Sequence, residues 1–561
     1  MRGRPKRTLP SPHVVLLAFA VLVAAGGAAG AYVATSGGHS DHEAGPPRRP
    51  TGSTRAKAPD PATWLGPAGV QSAAVVAENA RPGTTAWQIT SPGPPFIEGF
   101  ADSTYAAAGD RVGLYVSTTA ATFHVVAYRM GWYQGTGGRQ IWASPEVAGV
   151  SQPACPLTAG TNMVACDNWA RSLTVPVTGA WPAGDYLLKL VGSGGQQAYV
   201  LLVVWDPASQ ATYLVMNRSL TEEGWNTYGG GYTFYGGHGD CPPGSGTYPP
   251  CNRARVVSFD RPFATGFGAS DFLTLEYPLV EWAEQQGLDV TYASDVTIDA
   301  HPSFVGQHRA LVSLGHDELW TYGERKGAQD AFDHGVNMIF LGSAAVLRHA
   351  RLQASPLGPD QEEVDYRDST ADPLNGKGDP MQVTGNTWSS PPSSWPETHL
   401  VGQLYSGYLA PGTAPQPLVV FDSSAWIFAG TGLQDGASVP GVIASDIDHL
   451  APGNSGPSDL QVCAHSPLSL SDTYTNQGSW DGKTYSDVTY FTNPDSKAGS
   501  FDAGTVQWIA QMADCPSSTT SCAAPVLRKM MANLFHLFGQ GPAGRFSSPV
   551  PNAASVTPAG S

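Results

Sequence analysis

The stretch Ala310-Leu311-Val312-Ser313-Leu314-Gly315-His316-Asp317-Glu318-Leu319-Trp320 decides how this chain is read. A short, largely apolar run of strand length ends on a glycine, three ionisable side chains and a tryptophan. Side chains alternate faces along an extended chain, so His316 and Glu318 are expected on one side and Asp317 on the other. That places an imidazole, able to give or take a proton, beside a carboxylate. In open α/β sheets, ligands sit outside the carboxyl ends of the strands, where this cluster would emerge. The competing reading is a polar loop in which Asp317 caps the following helix.

Outward from this point, strand and helix patterns alternate: a strand over 212–216, an amphipathic helix over 272–286, a strand over 289–293, a helix over about 323–333 and a strand over 336–341. Alternation of this kind predicts a largely parallel sheet. Later strands at 418–421, 439–444 and 488–491, and a helix over about 524–538, complete an α/β domain assigned to 207–541. Upstream, runs at 96–100, 112–116, 123–128, 173–177, 186–190 and 198–204 read as strands separated by Gly, Pro and Asp turns, with no helix expected before residue 206. Regular short strands predict an immunoglobulin-like β-sandwich over 86–206. Residues 36–85 are rich in Gly, Ser and Pro and read as a linker, and 542–561 read as a disordered tail.

The 561 residues are enough for two or three domains. With 30 Lys plus Arg against 46 Asp plus Glu, a formal charge of −16 repels phosphate backbones and argues against nucleic acid as a partner. Arg2, Arg4, Lys6 and Arg7 precede an apolar run from Val14 to about Ala25 and then small residues, the layout of a secretory signal; the alternative for residues 1–35 is an uncleaved anchor that tethers the protein to the membrane. Both place the body outside the cytoplasm, secreted or on the outer face of the membrane. Six of the seven cysteines lie in close sequence pairs, Cys155 with Cys166, Cys241 with Cys251 and Cys515 with Cys522, which fits disulfides in an exported protein and leaves Cys463 over.

Several chemistries lack their motif. No Gly-x-Ser-x-Gly elbow stands in a suitable setting and no phosphate-binding Gly-Lys-Ser/Thr loop is present. His301, His308, His334 and His349 are not spaced to complete a zinc site with His316 and Glu318. The run Gly229-Gly230-Gly231-Tyr232-Thr233-Phe234-Tyr235-Gly236-Gly237 follows the first strand of the α/β domain, which brings its tyrosines near the sheet end where His316 emerges; packing of a loop is the competing role. Phenol and carboxylate oxygens together favour a hard cation such as ferric iron, acting as a Lewis acid.

Five segments, in one order, carry a resemblance: Glu98-Gly99-Phe100-Ala101-Asp102, Tyr128-Arg129-Met130-Gly131-Trp132-Tyr133, Val257-Ser258-Phe259-Asp260-Arg261-Pro262, the Gly315 to Trp320 motif, and Ala503-Gly504-Thr505-Val506-Gln507-Trp508. Over about 90–540 the chain resembles exported members of the N,N-dimethylformamidase large (beta) subunit-like family. The resemblance implies an immunoglobulin-like β-sandwich followed by a glutamine-amidotransferase-like α/β domain. It also implies a mononuclear ferric iron, held by two tyrosines and a glutamate, that hydrolyses an amide. Carried over, Glu318 is the iron carboxylate, His316 the acid/base group, Asp446 its acidic partner, and Tyr235 and Tyr199 the phenolates. The chain departs from that pattern at Trp225-Asn226, where relatives carry Tyr-Asn; at Ala344, where the enzyme has asparagine; and at Asp446, where it has glutamate.

Two functions follow from these residues. One is an exported, metal-dependent hydrolase of amide-type C–N bonds acting on a small-molecule or cell-envelope substrate. The other is a cell-surface protein that binds carbohydrate or peptide and keeps the fold without the metal, its fifteen tryptophans supplying stacking surfaces.

Overall fold

The computed structural model describes residues 65–90, 96–237, 252–450, 456–475, 483–515 and 522–556, all within the compact unit Ala58–Ser561. The predicted signal or anchor, the linker up to residue 64, and the Cys241–Cys251 pair lie outside the described residues.

Two antiparallel sheets pack face to face in the first half. One orders Leu173–Pro176, Arg111–Thr118 and Ile97–Ala101; the other carries Gln197–Val204, Gly184–Gly192, Thr122–Met130 and Gly138–Ala143, with Tyr105–Ala106 added in parallel at its edge. Alternation dictates the packing. Ala198, Val200, Leu202 and Val204 turn inward with Val112, Leu114 and Val116 to form the core between the sheets. Tyr199 and Val203 turn the other way and join Tyr213, Val215 and Tyr277 in a second core shared with the α/β half. The larger sheet is therefore buried on both faces.

The second half is built on a seven-stranded sheet. Its order is Val290–Ser294, Tyr213–Asn217, Ala310–His316, Asn337–Ser343, Gly499–Asp502, Lys483–Thr492 and Gln461–Ser469, all running one way except Lys483–Thr492, which is antiparallel to both its neighbours. In Ala310–His316, Ala310, Val312 and Leu314 enter one core and Leu311 the other, the double burial a parallel sheet requires. A cavity left by Leu314→Ala costs about 2–5 kcal/mol and loosens the strand that carries His316.

Several expectations are corrected. Leu65–Gly66 pairs with Gly69–Val70, and Ala73–Asn79 is a helix, so part of the stretch read as linker is ordered and a helix does precede residue 206. This helix is tied down by Asn79, whose Oδ1 accepts from the backbone of Trp132 (3.0 Å) and Tyr133 (2.9 Å). The tail read as disordered is packed as far as residue 556: Asn552 exchanges hydrogen bonds with the Val462 backbone and Val556 enters a core. The single helix expected over 272–286 is two, Phe272–Leu275 and Tyr277–Gln285, broken at Glu276, whose carboxylate is held by Asn217 (2.6 Å) and Arg218 (3.5 Å). Finally, Tyr322–Asp333 is capped by Thr321 in a reciprocal box with Glu324, so Asp317 is not the helix cap. No helix among the described residues is long and apolar enough to cross a membrane. Cys155–Cys166 and Cys515–Cys522 are disulfide-bonded and Cys463 is a buried free thiol.

Candidate active site

The His316 strand ends where two glycines let neighbouring backbones close up. Gly315 stands at φ +57° and lies opposite Gly342, where a Cβ would come within 1.4 Å of the Gly315 carbonyl oxygen. Only glycine fits there. Beyond it the chain turns sharply, and Thr221 Oγ1 accepts from the backbone nitrogens of Glu318 (2.9 Å) and Leu319 (3.1 Å). Arg218 donates to the His316 carbonyl (3.2 Å). Asp317 turns into the interior, where its carboxylate accepts from Ser313 (2.7 Å).

Glu318 is the hub. Its Oε2 accepts from the Tyr235 hydroxyl and the Trp225 indole (3.4 Å) and lies 3.3 Å from His316 Nε2, while Oε1 accepts from Arg348 Nε (3.2 Å). Burial alone would raise this carboxyl, but the His316 hydrogen bond and charge, with Arg348 and Arg367, hold it below the usual carboxylate range. Tyr235 is driven the other way. Burial and the Glu318 charge push its phenol well above the ordinary value, although Arg348 and Arg367 oppose them, Arg367 lying 4.0 Å over the ring. Trp225 lies flat on the other side, with ring centroids 3.5 Å apart and 8° between planes.

His316 is pulled down by burial, but Asp446 and Glu318 outweigh this and raise its pKa above the ordinary 6.5. Asp446, on Asp446–His449, is raised by burial, with His316 opposing and its hydrogen bonds to Tyr405 and Ser445 easing the charge. Tyr405, on the adjoining strand Leu404–Leu409, is raised by burial and by the Asp446 and Glu318 charges. Hydrogen-bond and ion-pair contacts thus join Tyr235, Glu318 and His316, and the charge of Asp446, itself bonded to Tyr405, acts on His316 from nearby.

Of the residues singled out from sequence, His316, Glu318, Tyr235 and Asp446 come together. Tyr199 does not join them: its hydroxyl donates to the Trp87 carbonyl (2.6 Å) in the core between sandwich and α/β half. Its place on the face of the strand opposite Ala198 and Val200 put it there. Sequence reasoning missed Tyr405, Arg348 and Arg367, which reach the site from distant segments. Two arginines of the motifs are structural ties: Arg129 grips Glu284 with two nitrogens (2.8 and 2.5 Å), and Arg261 pairs with Glu223 (2.5 Å), all fully or nearly fully buried.

With this arrangement in view, residues 124–521 match the N,N-dimethylformamidase beta subunit-like, C-terminal family. The chain belongs to that family. No match was found among curated proteins. Among solved structures, a Paenibacillus sp. cycloisomaltooligosaccharide glucanotransferase complexed with cycloisomaltoheptaose is similar over 49% of this chain and 34% of its own, at 9% identity and a TM-score of 0.14, and this likeness carries no argument. Within the N,N-dimethylformamidase beta subunit-like family, the departures noted in this chain acquire a physical meaning. Trp225 presents an indole N–H, which has no lone pair to offer a cation. Ala344 adopts φ +60°, a conformation asparagine tolerates better, and its backbone donates to Asp448 (2.9 Å).

Proposed function

We propose that the chain is a hydrolase of amide-type C–N bonds working at the Tyr235–Glu318–His316–Asp446 cluster. Family membership supports the reaction class, and one observation carries the site: Tyr235 and Glu318, two hard oxygen donors, are hydrogen-bonded to each other beside His316. That is the place a hard cation would fill, and the donor set fits ferric iron. Tyr235 and Glu318 would hold it, with Tyr405 rather than Tyr199 as the second phenol. Bound there, the ion would supply Lewis acidity toward a carbonyl oxygen.

The chain's own side chains account for the rest. Arg348 and Arg367 favour the ionised forms of Glu318 and Tyr235. His316 Nε2 faces the reacting centre and can take a proton from water and return it to the leaving nitrogen, while Asp446 stabilises the imidazolium. In the same reading the first half is an immunoglobulin-like sandwich and the second a glutamine-amidotransferase-like domain, and the protein is exported, in keeping with the two disulfides among the described residues.

The test uses the full chain: metal content, visible absorption and amine release from simple N-alkyl amides. We expect iron with a phenolate charge-transfer band, and loss of both iron and amine release in Glu318→Gln. Intact, colourless protein that releases no amine after loading with iron overturns the reading. A second reading, a binding protein that has lost the metal, is favoured by one observation: the Tyr235 ring is covered by Trp225, an indole with no lone pair to offer a cation.

A further inference from the structure

A second polar cluster lies on the other side of the His316 strand end. A cavity of about 50 Å³ is walled by Asp185 and Thr104 from the sandwich and by Asn217, Arg218, Glu222 and Glu276 from the α/β half. This is several times the roughly 10–15 Å³ that one water requires. Among its unpartnered polar atoms acceptors outnumber donors, the donors being Arg218 Nε and Nη2, which make ion pairs without hydrogen-bonding geometry. Neither Asp185 carboxylate oxygen has a donor at hydrogen-bonding geometry, nor is Asn217 Oδ1 or Thr104 Oγ1 engaged, although Asp185 is only 2% exposed. The Asn217 amide nitrogen gives one N–H to Glu276 (2.6 Å) and keeps a second near Asp185 without the geometry of a bond, and Arg218 pairs with Glu222 (2.5 Å) and Glu276 (3.5 Å). Arg129, the nearest other cation, is held by Glu284. Glu222 and Glu276 therefore share Arg218, Asp185 has only the charge of the already paired Arg129, and the cavity is short of positive charge.

We propose that this cavity binds a compact ammonium cation, bare or carrying one or two methyl groups. An N–H donor ion satisfies Asp185, Asn217 and Thr104 together and supplies the missing charge. The remaining walls are mostly apolar, Leu201, Val203, Phe263 and Phe272 among them, which suits N-methyl groups. The few free oxygens fall well short of the six to eight that a hard divalent ion collects. Arg218 also donates to the His316 carbonyl, so occupancy is one hydrogen bond away from the candidate active site. The inference stands on the cavity and holds whether or not the chain hydrolyses C–N bonds.

The experiment is a thermal-shift titration of the full chain at pH 8 with ammonium, methylammonium and dimethylammonium chloride, against sodium and tetramethylammonium chloride at equal ionic strength. We expect a saturable rise in Tm of about 1–2 °C with the N–H donors alone. The rise should vanish in Asp185→Asn, weaken roughly 3- to 10-fold in apparent affinity in Thr104→Val, and persist in Glu318→Gln. Equal shifts with sodium, or loss of the effect in Glu318→Gln, overturn the proposal, the latter by placing the amine in the active site. Should Asp185→Asn fail to fold, an unchanged affinity in Thr104→Val overturns it as well.

Discussion

Glu318 and Asp185 are almost equally withdrawn from solvent, at 4% and 2% exposure, yet their carboxyls move in opposite directions. Glu318 is held below the carboxylate range, whereas burial drives Asp185 up from 3.8 to about 7, with Arg129 only partly opposing. Their neighbours follow suit: burial pushes Glu222 and Glu276 to about 8 despite Arg218. Depth does not decide the charge. What differs is the supply of donors, since Glu318 meets a phenol, an indole, an imidazole and a guanidinium, and Asp185 meets no donor at hydrogen-bonding geometry. One cluster is prepared to keep a negative charge and the other waits for a positive one.

The comparison can be broken most strongly at Arg348. Arg348→Met leaves a buried carboxylate short of its cation and should cost about 3–5 kcal/mol in denaturant unfolding at pH 7. The sign with pH is fixed. A depressed Glu318 adds stability above its unfolded pKa that is lost as pH falls, so the variant should show a smaller loss on acidification than the parent.

Asp185→Asn probes the opposite case. The folded protein keeps the Asp185 proton up to about pH 7 while the unfolded chain releases it near 3.8, so this group lowers stability as pH rises between those values. The variant should gain about 1–3 kcal/mol over the parent at pH 8 and nothing near pH 4, measured by urea unfolding at both. Equal differences at the two pH values would contradict the assignment. Smaller still, Thr221→Val removes the hydroxyl that anchors the Glu318 turn and should cost about 1–2 kcal/mol while lowering iron affinity. Trp225→Tyr should leave stability within about 1 kcal/mol and strengthen the phenolate absorption of the iron-loaded protein, since it puts an oxygen beside Tyr235. If absorption is unchanged, Trp225 does not stand in a ligand position.

The alternation of strand and helix around residues 212–341, and the pairing of His316 with Glu318, were legible because period and strand end are local properties. Tyr235 was singled out by its place in the Gly-rich run after the first strand of the α/β domain, and Asp446 by the family resemblance alone. Tyr405, Arg348 and Arg367 were not, because nothing in their own segments shows that folding brings them to one carboxylate. Tyr199 misled for a related reason: a phenol on an apolar strand looks available, and only the fold shows that the Trp87 carbonyl already occupies it. The break at Glu276 was equally hidden, since its cause is the distant pair Asn217 and Arg218.

Ferric titration of the purified full chain, followed by visible absorption, tests the central claim most directly. The account predicts one iron per chain with a phenolate band that Tyr235→Phe weakens and Glu318→Gln abolishes. A band of full strength in Tyr235→Phe, or no iron retained by the parent protein, would contradict it.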